Sequence, residues 1–165
     1  MLYLDQFNLG SYQTELDMMV GYLKDSNLVL VIGNGGSATM ASHIVVDLML
    51  LGKLSSALTD SAVLTAFSND FLYEDVYSKQ VELWPDDGVM IAISSSGNSK
   101  NITNGVVAAQ KKGYTVLTFS GFSEQNELFQ MGDVRVRVPS FDYGEVESSH
   151  AVMLHYLINS LKGKK

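Results

Sequence analysis

Five serines and two glycine-rich turns are the residues of this chain best suited to hold a phosphate. The first turn is Gly33-Asn34-Gly35-Gly36-Ser37; the second is Ser94-Ser95-Ser96-Gly97-Asn98-Ser99. Hydroxyls at Ser37, Ser94, Ser95, Ser96 and Ser99, together with the amides of small residues, can surround a tetrahedral anion from several sides. Neither turn contains Lys or Arg, and the nearest cation is Lys100. The positive end of a helix, worth about half an elementary charge, then takes the place of a basic side chain.

Other readings of the turns are open. The first lacks the Lys-Ser/Thr ending of a P-loop, which argues against a nucleoside triphosphate. Gly33, Gly35 and Ala38 fit a loose dinucleotide pattern with Asp60 about 20 residues on, but that leaves the second turn unexplained. No nucleotide cofactor is expected. Glycine and serine also serve simply as turn and cap residues, and it is the pairing of two such turns, each after a strand, that favours a ligand.

The elements around them alternate. Apolar β-branched runs at Leu28–Ile32 and Val89–Ile93 read as strands buried on both faces. Further strands are expected at Ser56–Thr59, Tyr114–Phe119 and, near the sheet edge, Val134–Val138. Helices are expected over Leu4–Lys24, Thr39–Leu51, Ser61–Phe67, Glu74–Leu83, Asn101–Lys112, Glu124–Met131 and Glu147–Leu161. Strands separated by helices imply an α/β domain: a three-layer, doubly wound parallel sheet of about five strands. Ligands of such sheets sit at the carboxyl ends of the strands, where both serine-bearing turns lie.

Composition narrows the function classes. A chain of 165 residues with 46% hydrophobic and 18% charged residues suits one compact domain, spanning 1–165. A net charge of −7 argues against nucleic acid as the main partner. Without cysteine there is neither a disulfide framework nor a thiolate ligand or nucleophile. No apolar run reaches the roughly 18 residues of a membrane span and no export signal is visible, so the cytoplasm is the expected compartment.

Taken in order, Gly33–Ala38, His43, Ser68-Asn69-Asp70, Ile93–Asn101, Leu117-Thr118-Phe119-Ser120-Gly121, Val138-Pro139 and a last helix with His150 and His155 resemble a sugar isomerase (SIS) domain. Within that family the resemblance is to the sedoheptulose 7-phosphate isomerase, or phosphoheptose isomerase, group. It covers residues 28 to 161. It implies a flavodoxin-like fold, a tetramer with sites at subunit interfaces, and interconversion of a ketose 7-phosphate and an aldose 7-phosphate for lipopolysaccharide, capsule or surface-layer heptose. By the same resemblance Ser94, Ser95, Ser96 and Ser99 bind the phosphate, and Asn34, Gly35, Ser37 and Asp70 line the sugar. Asp47 and His155 are the catalytic pair, and His43, Asp47, Glu147 and His155 the ligands of one zinc ion per subunit.

Enediol chemistry needs a general acid, a general base and stabilisation of an oxyanion. His43 and Asp47 lie four apart on one helix face and can meet one ion or one substrate. The chain also departs from its relatives. Asp47 stands for the usual glutamate, Glu147 for a glutamine, Ser148 for a common carboxylate, and Leu51 where an arginine is often found. Glu147 and His155 are about 12 Å apart on a continuous helix. They share an ion only if Glu147 precedes the regular helix or a neighbouring subunit contributes. The N-terminal helix, residues 1–26 with Leu2, Tyr3, Leu4 and Phe7, is expected in oligomer contacts. A non-catalytic phosphosugar-binding or regulatory protein, such as a relative that binds the replication initiator, is the rival reading.

Overall fold

The computed structural model describes residues 7–163. Five parallel strands, β1 (Leu28–Gly33), β2 (Leu54–Ala57), β3 (Val89–Ser94), β4 (Thr115–Ser120) and β5 (Val134–Arg137), form one sheet in the order β2-β1-β3-β4-β5. Seven α-helices cover it: α1 (Gln13–Asp25), α2 (Gly36–Leu50), α3 (Ser61–Asp70), α4 (Val76–Glu82), α5 (Lys100–Lys111), α6 (Glu127–Met131) and α7 (Tyr143–Leu161). The strands are buried on both sides because alternate residues serve opposite layers. Val29, Val31, Val89, Ile91 and Ile93 pack under α1, α2 and α7. Leu28, Leu30, Ile32, Met90 and Ala92 pack under α4, α5 and α6.

Chain order reverses direction across the sheet between β1 and β3, since β1 leads outward to β2 whereas β3 leads to β4. A crevice opens at such a switch, outside the strand ends. Both serine-bearing turns follow those two strands, so the topology brings together segments some sixty residues apart.

Several element ends move from their expected places. The helix expected from Leu4 becomes a 3-10 turn, Leu9–Tyr12, whose Gly10 amide is held by Asn8, followed by α1. Residues 1–6 lie outside the described chain, and with them Leu2, Tyr3 and Leu4. Phe7 stacks on Tyr12 and packs against the protein's own core. α7 starts four residues before Glu147 because Asp142 caps it by accepting from the Glu145 amide at 2.9 Å. Asp60 likewise caps α3.

His150, on the sheet-facing side of α7, is wholly buried, edge-on to Phe119. Its Nε2 donates to the Ser120 carbonyl at 3.0 Å, while Nδ1 has no partner among the described residues. Burial pushes the ring's pKa down to about 4, against the opposing pull of that carbonyl. The unfolded chain binds a proton near the ordinary value of about 6.5, so it takes up protons first as pH falls. This histidine therefore contributes a loss of roughly 3 kcal/mol of stability between about pH 6.5 and pH 4. Urea unfolding across that window should show the decline, and His150→Gln should flatten it; an unchanged slope would contradict the assignment.

Candidate active site

The first turn enters α2 through Gly35, whose φ of 53° lies in the left-handed region. No side chain caps α2. The second turn enters α5 at Ser99, whose hydroxyl makes no cap bond and instead lies 3.4 Å from that of Ser94. By contrast α3, α6 and α7 are capped by Asp60, Asn126 and Asp142, and α1 and α4 continue from 3-10 turns. The helix ends without a cap side chain or a preceding 3-10 turn are thus the two that converge at the crevice. Their amides and positive dipoles are suited to an anion there.

Between them lies a cavity of about 230 Å³ lined by Asn34, Gly35, Gly36, Ser37, Ile93, Ser94, Ser95, Ser96, Ser99, Tyr143 and Glu147. The Ser95 hydroxyl is buried without a partner among the described residues. Such a group costs stability until it is hydrogen-bonded, and an anion's oxygen in the cavity would supply the bond. Two glycines make room. A Cβ at Gly36 would come within 2.5 Å of the Glu147 carboxylate, and one at Gly97 within 2.0 Å of the Asn126 Oδ1.

The turns are tied to each other by a reciprocal amide pair. Asn34 Nδ2 donates to Asn101 Oδ1 and Asn101 Nδ2 to Asn34 Oδ1, both at 2.9 Å. Tyr77, buried, donates to the Gly33 carbonyl at 2.5 Å, and burial raises its hydroxyl pKa to about 12. A second cavity of about 630 Å³ adjoins the first through Asn34 and Ser99, with Leu72, Tyr73, Glu74, Lys100 and Asn101 as its other walls. Asp70, the last residue of α3, is exposed, accepts from Asn69, and lines neither cavity.

A separate group of titratable residues sits further along α2 and α7. His43, Asp47 and His155 place one ligand atom each within 4.8 Å of one another, and the two rings meet edge-on at 5.1 Å. Lys162 Nζ reaches across from the end of α7 to Asp47 Oδ1 at 2.7 Å. That hydrogen bond, with the charges of Lys162, His43 and His155, holds the Asp47 carboxyl below the usual carboxylate range, although partial burial opposes it. The rings border a cavity of about 310 Å³ whose other walls are Thr39, Met40, Ile44, Ala151 and Leu154.

Three of the four expected ligands are therefore together in one chain. Glu147 lies inside the regular helix, about 12 Å up α7 from His155, and lines the serine cavity instead. Leu51, where relatives often carry arginine, spends its side chain on packing against the core, and Ser148 is exposed. The sequence reading gives no chemical role to Asn101, Tyr143 or Lys162. Asn101, in the first turn of α5 beside a phosphate-type loop, carries a signal that could have been used; Lys162 carries none, being 115 positions from its partner.

A doubly wound domain with a phosphate cradle at its switch point and an imidazole–carboxylate group on adjoining helices defines the class. The profile of the SIS domain family matches residues 11–121, and the chain belongs to that family, among its phosphoheptose isomerases. The phosphoheptose isomerase of Glaesserella parasuis is 32% identical over 162 residues, covering 93% of this chain and 84% of the relative. That of Sulfurimonas denitrificans is 36% identical over 155 residues, covering 88% and 78%. The solved structure of the phosphoheptose isomerase from Neisseria gonorrhoeae superposes with a TM-score of 0.85 at 28% identity, covering 96% of this chain and 89% of that one.

Proposed function

We propose that this chain interconverts sedoheptulose 7-phosphate and an aldoheptose 7-phosphate of the D-glycero-D-manno type through an enediol. The observation that carries the reading is the pairing of a phosphate cradle at the uncapped starts of α2 and α5 with an acid–base group on α2 and α7, in a relative of the phosphoheptose isomerases.

Ser94, Ser95, Ser96 and Ser99 anchor the phosphate together with the amides of the two helix starts. Asn34, Gly35 and Ser37 face the sugar chain, whereas Asp70 lines neither cavity within one chain. Isomerisation moves a proton between C1 and C2 while the carbonyl and hydroxyl oxygens exchange theirs. Asp47, kept ionised by Lys162, is competent to take the carbon-bound proton as base. His155, exposed and lining the adjoining cavity, moves the proton on oxygen in this reading. Two imidazoles and one carboxylate, open to solvent on one side, suit a divalent ion such as zinc. An ion held by His43, Asp47 and His155 would polarise the carbonyl oxygen.

Cradle and acid–base group share no lining residue within one chain. This supports a tetramer in which a second copy completes each site, and it leaves a place for Glu147 beside a neighbour's ligands. Val46 and Leu50, largely exposed on the outer side of α2, flank His43 and are suited to that contact. The described residues contain no helix long and apolar enough to cross a membrane.

The test is incubation of purified protein with sedoheptulose 7-phosphate, followed by NMR, with zinc and with chelator. An aldoheptose 7-phosphate signal is the expected result, and its loss on chelation would assign a role to the ion. Tight phosphosugar binding without conversion would overturn the enzymatic reading in favour of a binding protein.

A further inference from the structure

Lys162 stands at the C-cap of α7, where a cation is favoured by the helix dipole alone. Its ammonium does not stay there. It crosses to α2 and bonds Asp47 Oδ1 at 2.7 Å, with its side chain about one-third exposed (32%). The charged or titratable groups gathered at that carboxylate are His43 from its own helix and His155 and Lys162 from α7. A group built to take a divalent ion thus already contains a positive charge, seated on its only carboxylate.

We propose that Lys162 is the resident cation of the His43–Asp47–His155 group and sets its affinity for a divalent ion by competing for Asp47. The proposal rests on the metal reading given above. Two like charges sharing one carboxylate repel, and a hydrogen bond to Oδ1 removes one of the two oxygens an ion could use. Entry of the ion then requires the ammonium to move off Asp47 toward solvent, which its partial exposure permits. Without the ion, the Lys162 hydrogen bond keeps the Asp47 carboxylate beside the two rings, so the site stays assembled.

The experiment is competition for zinc between the full-length protein and a chromophoric chelator, using wild type, Lys162→Met and Lys162→Arg. Lys162→Met should bind zinc at least tenfold more tightly at low ionic strength. Lys162→Arg, which keeps the charge, should stay near wild type, and added salt should narrow the gap because the pair is partly solvent-exposed. Equal or weaker zinc binding by Lys162→Met, with circular dichroism showing an intact fold, would overturn the proposal. A second readout needs no variant: zinc should raise acetylation of Lys162 in wild type as measured by mass spectrometry, and unchanged or reduced labelling counts against it. Zinc binding by none of the three proteins would remove the metal reading and this proposal together. The isomerase reading would still be judged separately by sugar conversion.

Discussion

Asp47→Asn and His155→Ala should each lower turnover of the sugar phosphate by about 10²-fold or more, while the affinity for a non-reacting phosphosugar stays close to wild type. Positioned acid–base groups contribute rate factors of roughly that size. The split follows from geometry, because both residues lie outside the serine cavity that would hold the phosphate. A loss seen in kcat with binding retained is the signature of a group that acts in the transition state. The change at Asp47 also removes the negative charge that pairs with Lys162, leaving only a neutral amide oxygen to accept its hydrogen bond. That pair is partly exposed, so its loss should cost about 1 kcal/mol of stability. Urea unfolding of both variants therefore separates a damaged fold from damaged chemistry. Wild-type turnover in either variant would dismiss that residue from the acid–base pair.

Gly97→Ala should be the most damaging single methyl in the cradle. Gly97 has φ of 67°, a conformation that costs an L-residue roughly 1–2 kcal/mol. Its new Cβ would fall 2.0 Å from Asn126 Oδ1. Asn126 is poorly able to retreat: it is buried, caps α6 through the Phe129 amide at 2.8 Å, and donates to Gly121 O at 3.1 Å and Ser123 O at 2.6 Å. Displacing it strands buried polar groups, each worth about 1–3 kcal/mol. We expect a stability loss of about 3 kcal/mol or more in urea unfolding and at least a tenfold loss in phosphosugar affinity by calorimetry. Gly113→Ala is the control. Its φ of 80° carries similar backbone strain, but a Cβ there meets nothing within 4 Å. If both variants bind the phosphosugar equally well, the close packing of Gly97 on Asn126 is not what shapes the cradle.

The cradle was legible because its logic is local. A buried strand, a turn of small hydroxyl residues and a helix start are all written within about fifteen consecutive positions, and the backbone amides of such a turn need no distant partner to point outward. The alternation of apolar strand runs with helical segments similarly foretold the α/β layering. Boundaries were less legible. The last helix was expected to begin at Glu147, and the actual start at Tyr143 depends on which of several acidic residues turns its side chain back to cap. That choice decides where Glu147 points, and so separates it from the His/Asp group.

By itself, then, the sequence determined the class of fold, the two phosphate-type turns and the His43–Asp47 face, since periodicity and turn chemistry act over a few residues. Tertiary structure decided the rest: the strand order that sets β1 beside β3, the Asn34–Asn101 clasp between the turns, and the meeting of Asp47 with His155 and Lys162. Those pairings join positions 67 to 115 residues apart where the structure records their hydrogen bonds. No local pattern encodes them, because they come from how α2 and α7 lie side by side on one face of the sheet and how the turns meet at its switch point.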